Sequence, residues 1–290
     1  MKFIKKYLYF LLLCMYRMEL ISSLFTNHFQ QYITKKYNES ILKEFERKDI
    51  LSGEGSFGGL NNENETSSRI PIIFIHGATG SGSTFKDIRA FFLNNGYING
   101  DIYGITYGDN GLTPLFFVSF KCSDIKLIRR FILLVSNYRK SKVNILAYSM
   151  GVGLTRKAIL GGKCVDTDEF LGARITTLVN TYVSLAGVSY GYEGCDKLSE
   201  IFLFCNPLNG MSCSSKFIKD INTPNFRYEG QKSYAIYSTN DLIVNQNCCE
   251  NICSQLKYSN KNITTNEFDH YTIVNGTLLE YFNFFNHTTK

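Results

Sequence analysis

The sequence predicts an α/β protein whose mainly parallel sheet is covered by helices on both faces. Short apolar runs rich in β-branched and aromatic residues alternate with amphipathic stretches of ten or more residues, the pattern that a parallel sheet with crossover helices requires. The chain has 290 residues, 44% of them hydrophobic and 19% charged, which is enough to bury a sizeable core. No second domain boundary stands out, so we expect one domain over residues 26–290.

The predicted elements follow from periodicity and from the residues that interrupt it. Runs such as PIIFI and VNILAY are short, apolar and rich in residues that favour strands. These runs predict strands within residues 69–77, 101–108, 142–149, 176–187, 232–241 and 262–270. Helical periodicity, with glycine-containing breaks between the segments, predicts helices within residues 27–50, 83–97, 123–140, 150–162 and 271–285.

Helix ends carry their own signals. Hydroxyl and carboxylate side chains accept hydrogen bonds from the unpaired amides of a first turn, so we expect Ser83 or Thr84 to cap one helix and Ser123 or Asp124 to cap another. Gly161 follows the helix that begins near residue 150 and is expected to end it.

Residues 188–228 break the alternation. They contain Cys195, Cys205 and Cys213 together with several Gly, Asn and Ser residues, without a clear helix or strand pattern. A long irregular segment inside a compact domain is often functional. We therefore predict a disulfide-rich insertion near the entrance to the active site of the protein.

The first 25 residues have the layout of a secretory signal peptide, with a basic start, an apolar run and a polar break. A spanning helix needs about 20 apolar residues, and Arg17 and Glu19 interrupt this run early, so we expect cleavage near residues 22–26 and no membrane segment afterwards. Of nine cysteines only Cys14 lies here, and the even remainder predicts disulfides in a secreted protein without selecting their pairing. Sequons for N-glycosylation occur at Asn38, Asn64, Asn262, Asn275 and Asn286.

Charge and cysteine spacing argue against two other kinds of protein. The formal net charge is +6, and three of these charges come from the first twenty residues, which leaves too little for nucleic-acid binding. Cys248, Cys249 and Cys253 have no nearby histidine and lack the C-x-x-C spacing of zinc sites. We expect no metal and no other cofactor.

Two serines compete for the role of a catalytic nucleophile. A G-x-S-x-G elbow presents its serine at a sharp turn from a strand into a helix. LAYSMGVG places Ser149 between a predicted strand and a predicted helix, with Ala147 where the first glycine of the motif would be; a small side chain suffices at that crossing. GVSYG matches the letters fully at Ser189, but Gly191 and Gly194 disfavour a helix after it. We predict that Ser149 is the nucleophile.

The catalytic base is found by elimination. α/β-Hydrolases carry their triad in the order serine, acid, histidine, and only His270 and His287 follow Ser149. His287 lies in the last four residues, where chains fray. His270 is therefore the predicted base.

The acid must lie between the nucleophile and the base, at the end of a strand from which it orients the imidazole. Asp241 ends the run YAIYSTND and fits best. Asp269 is excluded because neighbouring residues in extended chain point in opposite directions. Asp220 and Glu229 remain as weaker alternatives.

An oxyanion hole needs two donors aimed at the developing charge. One is predicted to be the backbone amide of Met150, which follows the nucleophile, and the other comes from the loop after an early strand. PIIFIHGATG supplies that loop: Gly77 allows a tight turn and the amide of Ala78 is the second candidate. His76 is expected to be a structural hydrogen-bonding residue of this loop.

With RIPIIFIHGATGSGSTF, LAYSMG, YSTNDLIV and FDH in place, the chain resembles the class 2 lipases, and RKDILSGEGSFGG, TRKAILGGKCVDT and CNPLNGMSC resemble the nematode branch of that family. The resemblance covers roughly residues 48–275, and the A-x-S-M-G form of the elbow is itself a family feature. It implies an α/β-hydrolase fold, secretion and hydrolysis of fatty-acid esters. Carried over by motif, it assigns Ser149, Asp241 and His270 to the triad and the amides of Ala78 and Met150 to the oxyanion hole.

The sequence thus predicts a secreted lipase or esterase that works through an acyl-enzyme on a lipid ester substrate. Apolar loops at 112–120 and 201–204 are expected to line an acyl groove, to meet a lipid–water interface, or to fill the core. The alternative is a secreted, disulfide-bonded binding protein on a degenerate hydrolase scaffold.

Overall fold

A computed structural model of the chain describes residues 24–50, 55–198 and 201–286. Its strands, in chain order, are β1 Ile72–Ile75, β2 Ile102–Ile105, β3 Val143–Tyr148, β4 Val179–Leu185, β5 Lys232–Ser238, β6 Asn247–Cys248, β7 Asn251–Ile252 and β8 Lys261–Thr265. Six of them form one sheet of order β2-β1-β3-β4-β5-β8, in which every pairing is parallel. Apart from residues 24 and 25, the predicted signal peptide lies outside the described residues.

The helices are α1 Asn27–Lys36, α2 Glu39–Glu46, α3 Lys86–Asn94, α4 Cys122–Arg139, α5 Met150–Leu160, α6 Lys216–Asn222, α7 Ile273–Gly276 and α8 Leu278–Asn286. They cover both faces of the sheet, because two buried clusters lie on opposite sides of β3. Ile145 and Ala147 pack in the cluster that contains residues of α1, α2, α4 and α5. Leu146 and Tyr148 pack in the cluster that contains residues of α3 and α8. The predicted fold class is confirmed.

Several helix boundaries differ from the predictions. The predicted helix over 27–50 is two helices, because Asn38 accepts a hydrogen bond from the Ile41 amide and starts a new one. Neither Ser83 nor Thr84 is a cap: Ser81 caps a 3₁₀ turn, Gly82–Phe85, that precedes α3. The terminal helix predicted over 271–285 is divided into α7 and α8.

The cap predicted for α4 was also wrong, for a reason that no local pattern reveals. The helix begins at Cys122, and neither Ser123 nor Asp124 caps it. Instead the Cys122 amide donates to the Asp166 carboxylate at 3.0 Å, beside the disulfide that joins Cys122 to Cys164. The acceptor thus comes from a residue 44 positions away.

Four disulfides use all eight cysteines that follow the predicted signal peptide, which confirms that they pair. Besides the bridge to α4, the pairs are Cys195–Cys205, Cys213–Cys249 and Cys248–Cys253. The insertion predicted over 188–228 carries 3₁₀ turns and also α6, which the sequence analysis missed. Among the described residues, no helix is both long and apolar enough to cross a membrane.

Arg156 of α5 fastens this insertion to the helix that starts at the elbow. Its buried guanidinium donates to the Glu229 carboxylate at 3.0 Å, and to the carbonyls of Ser189 and Ile221 at 3.0 and 3.1 Å. A buried charge is tolerated only when it is paired and hydrogen-bonded in this way. The insertion is therefore ordered against the core of the domain.

Candidate active site

Ser149 occupies the turn between β3 and α5, as the sequence predicts. Its backbone has φ 53° and ψ −126°, a left-handed conformation that is costly for a residue with a Cβ. Gly151 lets α5 approach β1, since a Cβ added there would lie 2.2 Å from the carbonyl oxygen of His76. Ala147 is fully buried at the strand end, which agrees with the requirement for a small residue there.

The three predicted triad residues form one hydrogen-bonded line. The Ser149 hydroxyl lies 3.0 Å from Nε2 of His270, and Nδ1 of His270 lies 2.7 Å from the Asp241 carboxylate. Because an ionised carboxylate only accepts, Nδ1 carries the proton and Nε2 is left to accept from the serine. All three side chains are buried, with 8%, 4% and 2% of Ser149, His270 and Asp241 exposed.

Asp241 is itself held in place. The carboxylate oxygen that does not face His270 accepts hydrogen bonds from the amides of Ile243 and Val244 at 2.9 and 3.0 Å. These bonds leave the other oxygen directed at the imidazole.

The other acids considered are engaged elsewhere. Asp220 lies 2.6 Å from the Lys157 ammonium, and Glu229 pairs with Arg156. Asp269 accepts from the amides of Tyr271 and Thr272 in its own turn. The structure therefore brings Asp241, and none of these three, to His270.

Ser189 lies apart from the triad. It is fully buried, and its hydroxyl has no partner among the described residues. Its segment instead supports the elbow, because the amide of Val188 donates to the Ser149 carbonyl at 3.1 Å. His28 hydrogen-bonds Tyr138 on another part of the molecule, and His287 lies outside the described residues.

The predicted oxyanion donors border the same place. Gly77 is in close contact with Ser149, since a Cβ added there would lie 2.9 Å from the Cβ of Ser149. Ala78 and Ser149 line one cleft of about 330 Å³, and Ala78 and Met150 line a smaller adjoining one. Neither the Ala78 amide nor the Met150 amide donates to another described residue, so both amides are available to a bound oxygen.

His76 holds the oxyanion loop. The Tyr107 amide donates to Nε2 of His76 at 3.1 Å, which leaves the proton on Nδ1, 2.7 Å from the Gly77 carbonyl. The phenol of Tyr107 donates to the His76 carbonyl at 2.9 Å, and the two rings stack. Burial lowers the pKa of His76 to about 4, so this imidazole is neutral at ordinary pH.

One further contact escaped the sequence analysis. Tyr148, the residue before Ser149, donates its hydroxyl to the carbonyl of His270 at 2.9 Å. The sequence signal was only that a large aromatic stands beside the elbow serine, and nothing in periodicity links it to a residue 122 positions later.

The described residues also contain a cluster of potential metal ligands formed by Cys122, Cys164 and Asp166. The two cysteines are joined in a disulfide and Asp166 caps α4. The cluster therefore has structural duties and offers no thiolate.

The sheet, the turn at Ser149 and the chain order of the predicted triad residues are those of an α/β-hydrolase. A family model described as Lipase (class 2) matches residues 69–283, so the chain belongs to the class 2 lipase family. The predicted family and the predicted class of enzyme, a carboxylic ester hydrolase, are confirmed.

Solved structures support the fold. The mature lipase BlEst2 of Bacillus licheniformis has a TM-score of 0.55 and 17% identity, over 79% of this chain and 97% of that one. Lipase B of Aspergillus fumigatus has a TM-score of 0.51 and 14% identity, over 78% and 53%. A structure from a study of two metagenome-derived lipolytic enzymes, LipS and LipT, has a TM-score of 0.53 and 13% identity, over 82% and 99%. No curated protein matches the chain significantly.

The buried imidazole of His76 gives a testable pH dependence. An unfolded histidine titrates near pH 6.5, so below that pH the unfolded chain binds a proton that the folded protein does not bind until about pH 4. This difference contributes about 3 kcal/mol to the free energy of unfolding above pH 6.5 and is lost as pH falls towards 4. Urea denaturation at several pH values should show a shallower loss in His76→Gln, whose amide keeps a donor and an acceptor. Equal slopes in the two proteins would contradict this assignment.

Proposed function

We propose that this protein is a secreted serine hydrolase that cleaves carboxylic esters of lipids through Ser149, His270 and Asp241. The observation that carries the proposal is the line of two short hydrogen bonds, 3.0 and 2.7 Å, from the Ser149 hydroxyl through His270 to Asp241. The line ends at an open cleft that Ser149 and His270 both border. With Nδ1 directed at the Asp241 carboxylate, the imidazole presents Nε2 as the general base for the serine proton.

In the proposed reaction the Ser149 oxygen attacks the ester carbonyl carbon while Nε2 of His270 takes the hydroxyl proton. The negative charge passes to the carbonyl oxygen, which the amides of Ala78 and Met150 bind. The intermediate collapses, the bond to the alcohol breaks, and His270 returns its proton to the leaving alcohol. Water then attacks the acyl-enzyme with His270 again as base, which releases the acid and restores Ser149.

The surroundings of the cleft favour a lipid substrate. Six strongly exposed apolar side chains, here called the apolar rim, stand on loops that follow the carboxyl ends of the strands: Leu112, Phe116, Phe117, Ile201, Leu242 and Tyr271. Tyr271 and Leu115, which neighbours Phe116, also line the cleft. Apolar groups exposed at the edge of the sheet that holds the cleft indicate an interaction surface. The rim is proposed to rest on the lipid–water interface.

The composition of these loops further favours an uncharged lipid surface. Residues 112–118, 201–208, 242–248 and 271–276 contain no Asp, Glu, Lys or Arg. Binding is therefore expected to come from apolar burial, which depends little on salt, and not from attraction to anionic headgroups.

Secretion is proposed from the predicted signal peptide together with the four disulfides, which would persist only in an oxidising compartment. The sequons differ in availability. Asn64 is exposed, whereas Asn262 uses both side-chain atoms on the backbone of Leu256. Asn275 lines the cleft beside Ser149 and His270, where a glycan would block the substrate. Glycosylation is accordingly proposed at Asn64 and not at Asn262 or Asn275.

The first test of this function compares two serines. Ser149→Ala should lower kcat/KM for p-nitrophenyl esters by about 10⁴-fold or more, because the acyl-enzyme cannot form. Ser189→Ala also removes a buried hydroxyl and should leave most activity. Hydrolysis of esters from acetate to palmitate measures both effects. Equal rates for wild type and Ser149→Ala would instead favour the binding protein on a degenerate scaffold.

The second test concerns export. Expressed in a eukaryotic secretory host, the protein should reach the medium with its amino terminus between residues 22 and 26. After denaturation without a reducing agent, the secreted protein should contain no free thiol that a thiol reagent can label. Asn64→Gln should lose one glycan by mass, whereas Asn262→Gln should not. Retention in the cell with reactive thiols would contradict secretion.

The third test separates the rim from the catalytic centre. The double variant Leu112→Ser/Phe117→Ser should bind neutral phosphatidylcholine vesicles at least about tenfold more weakly, since burying each such side chain contributes about 1.5–3 kcal/mol. The kcat/KM of this variant for dissolved p-nitrophenyl acetate should not change. Leu279→Ser is the matched control, because Leu279 is 61% exposed on α8. Vesicle binding that requires anionic lipid and disappears in salt would contradict the proposed surface.

A further inference from the structure

The side chain of Tyr148 contacts two loops of the site: the loop that carries His270 and the loop that carries Gly77 and Ala78. Its hydroxyl donates to the His270 carbonyl at 2.9 Å, and its ring centroid lies 5.2 Å from that of the imidazole. Two ring carbons of Tyr148 lie 3.2 Å from the position that a Cβ on Gly77 would occupy. Its own backbone leads directly into Ser149. Tyr148 thus contacts both the loop that carries His270 and the loop that carries Ala78, and it directly precedes Ser149.

The His270 carbonyl needs this partner. At the start of α7, the amides that follow are used elsewhere: Ile273 donates to the Asp269 carbonyl and Val274 to the Tyr271 carbonyl. The regular helical partner of the His270 carbonyl, the Val274 amide, is therefore committed to another oxygen. Because buried carbonyls are almost always hydrogen-bonded, the Tyr148 hydroxyl replaces the missing amide.

The chemistry of the Tyr148 hydroxyl suits a hydrogen bond that is always present. Tyr148 is only 7% exposed, and burial, with the nearby Asp241 carboxylate, raises its pKa well above the ordinary value. It therefore remains a neutral donor at any pH at which the protein works. A carbonyl oxygen can only accept, so the direction of the bond cannot reverse.

The other backbone hydrogen bonds beside His270 lie within its own loop. The turn is closed by Asp269, whose carboxylate accepts from the amides of Tyr271 and Thr272. Those bonds fix the residues after the histidine relative to Asp269. Because both partners belong to the same loop, the bonds do not fix the loop relative to Ser149. The Tyr148 hydroxyl joins the carbonyl of His270 itself to the strand that ends at the nucleophile.

We propose that Tyr148 is a positioning residue that holds the backbone of His270 at a fixed distance from Ser149. Its hydroxyl bonds a backbone carbonyl and none of the reacting atoms, and the proposal rests on the triad proposed above. Losing this hydrogen bond lets the imidazole drift from its alignment with the serine. A displacement of about 1 Å in such a constellation costs about 10²-fold in rate. The substrate-binding cleft keeps the aromatic ring when only the hydroxyl is removed.

Tyr148→Phe tests this directly. We expect kcat for p-nitrophenyl butyrate to fall by about 10- to 100-fold with KM nearly unchanged, because alignment for the chemical step is lost and binding is not. Tyr228→Phe is the matched control: Tyr228 is also buried, and its hydroxyl donates to the Ile221 carbonyl at 2.7 Å, outside the triad. The two variants should melt at similarly lowered temperatures, but only Tyr148→Phe should lose kcat.

A second readout does not depend on turnover. The proton on Nδ1 of His270, hydrogen-bonded to Asp241, should give a downfield NMR resonance in wild type and in Tyr228→Phe that broadens or disappears in Tyr148→Phe. If wild type turns over no ester, the proposed function fails, yet this resonance still decides the positioning role. Tyr148→Met, which also removes the donor and keeps an apolar side chain, must reproduce the pattern. An unchanged kcat or an unchanged resonance in Tyr148→Phe would overturn the proposal.

Discussion

The backbone of Ser149 is the constraint on which the site depends. A residue with a Cβ pays about 1–3 kcal/mol to adopt such a conformation and keeps it only where its surroundings compel it. Here the Ser149 amide donates to the Leu185 carbonyl, and the Ser149 carbonyl accepts from Val188 and Val152. Gly151 removes the side chain that would otherwise separate α5 from β1. These contacts hold the backbone of Ser149 in the strained conformation, and the Ser149 hydroxyl faces His270.

The rest of the molecule reinforces that turn. The GVSYG segment after β4 supplies the Val188 amide to the elbow, and Arg156 of α5 ties this same segment and α6 to the helix that the elbow starts. On the other side, His76 shapes the loop that carries Ala78, through a neutral imidazole that bonds Tyr107 and Gly77. The disulfide-rich insertion and the proposed catalytic centre are therefore held by the same hydrogen bonds, although they are distant in sequence.

Much of this arrangement could be predicted because its causes are local or ordered along the chain. The sheet follows from buried β-branched runs such as Ile72–Ile75, and the positions of Asp241 and His270 follow from strand ends that meet at one edge of a parallel sheet. What escaped prediction depends on contacts distant in sequence. Asp166 caps α4 across 44 residues, Tyr148 binds the His270 carbonyl across 122, and the disulfide pairing follows from the folded geometry of the insertion. Periodicity carries no information about such partners.

Covalent labelling tests the central claim most directly, because it reports which serine the protein activates without assuming a substrate. A fluorophosphonate reacts only with a serine whose proton a neighbouring base accepts. Incubation of the intact protein, followed by proteolysis and mass spectrometry, should place a single phosphonate on the peptide that contains LAYSMG, at Ser149. Labelling of Ser189 in GVSYG, or no labelling of the folded protein, would contradict the account.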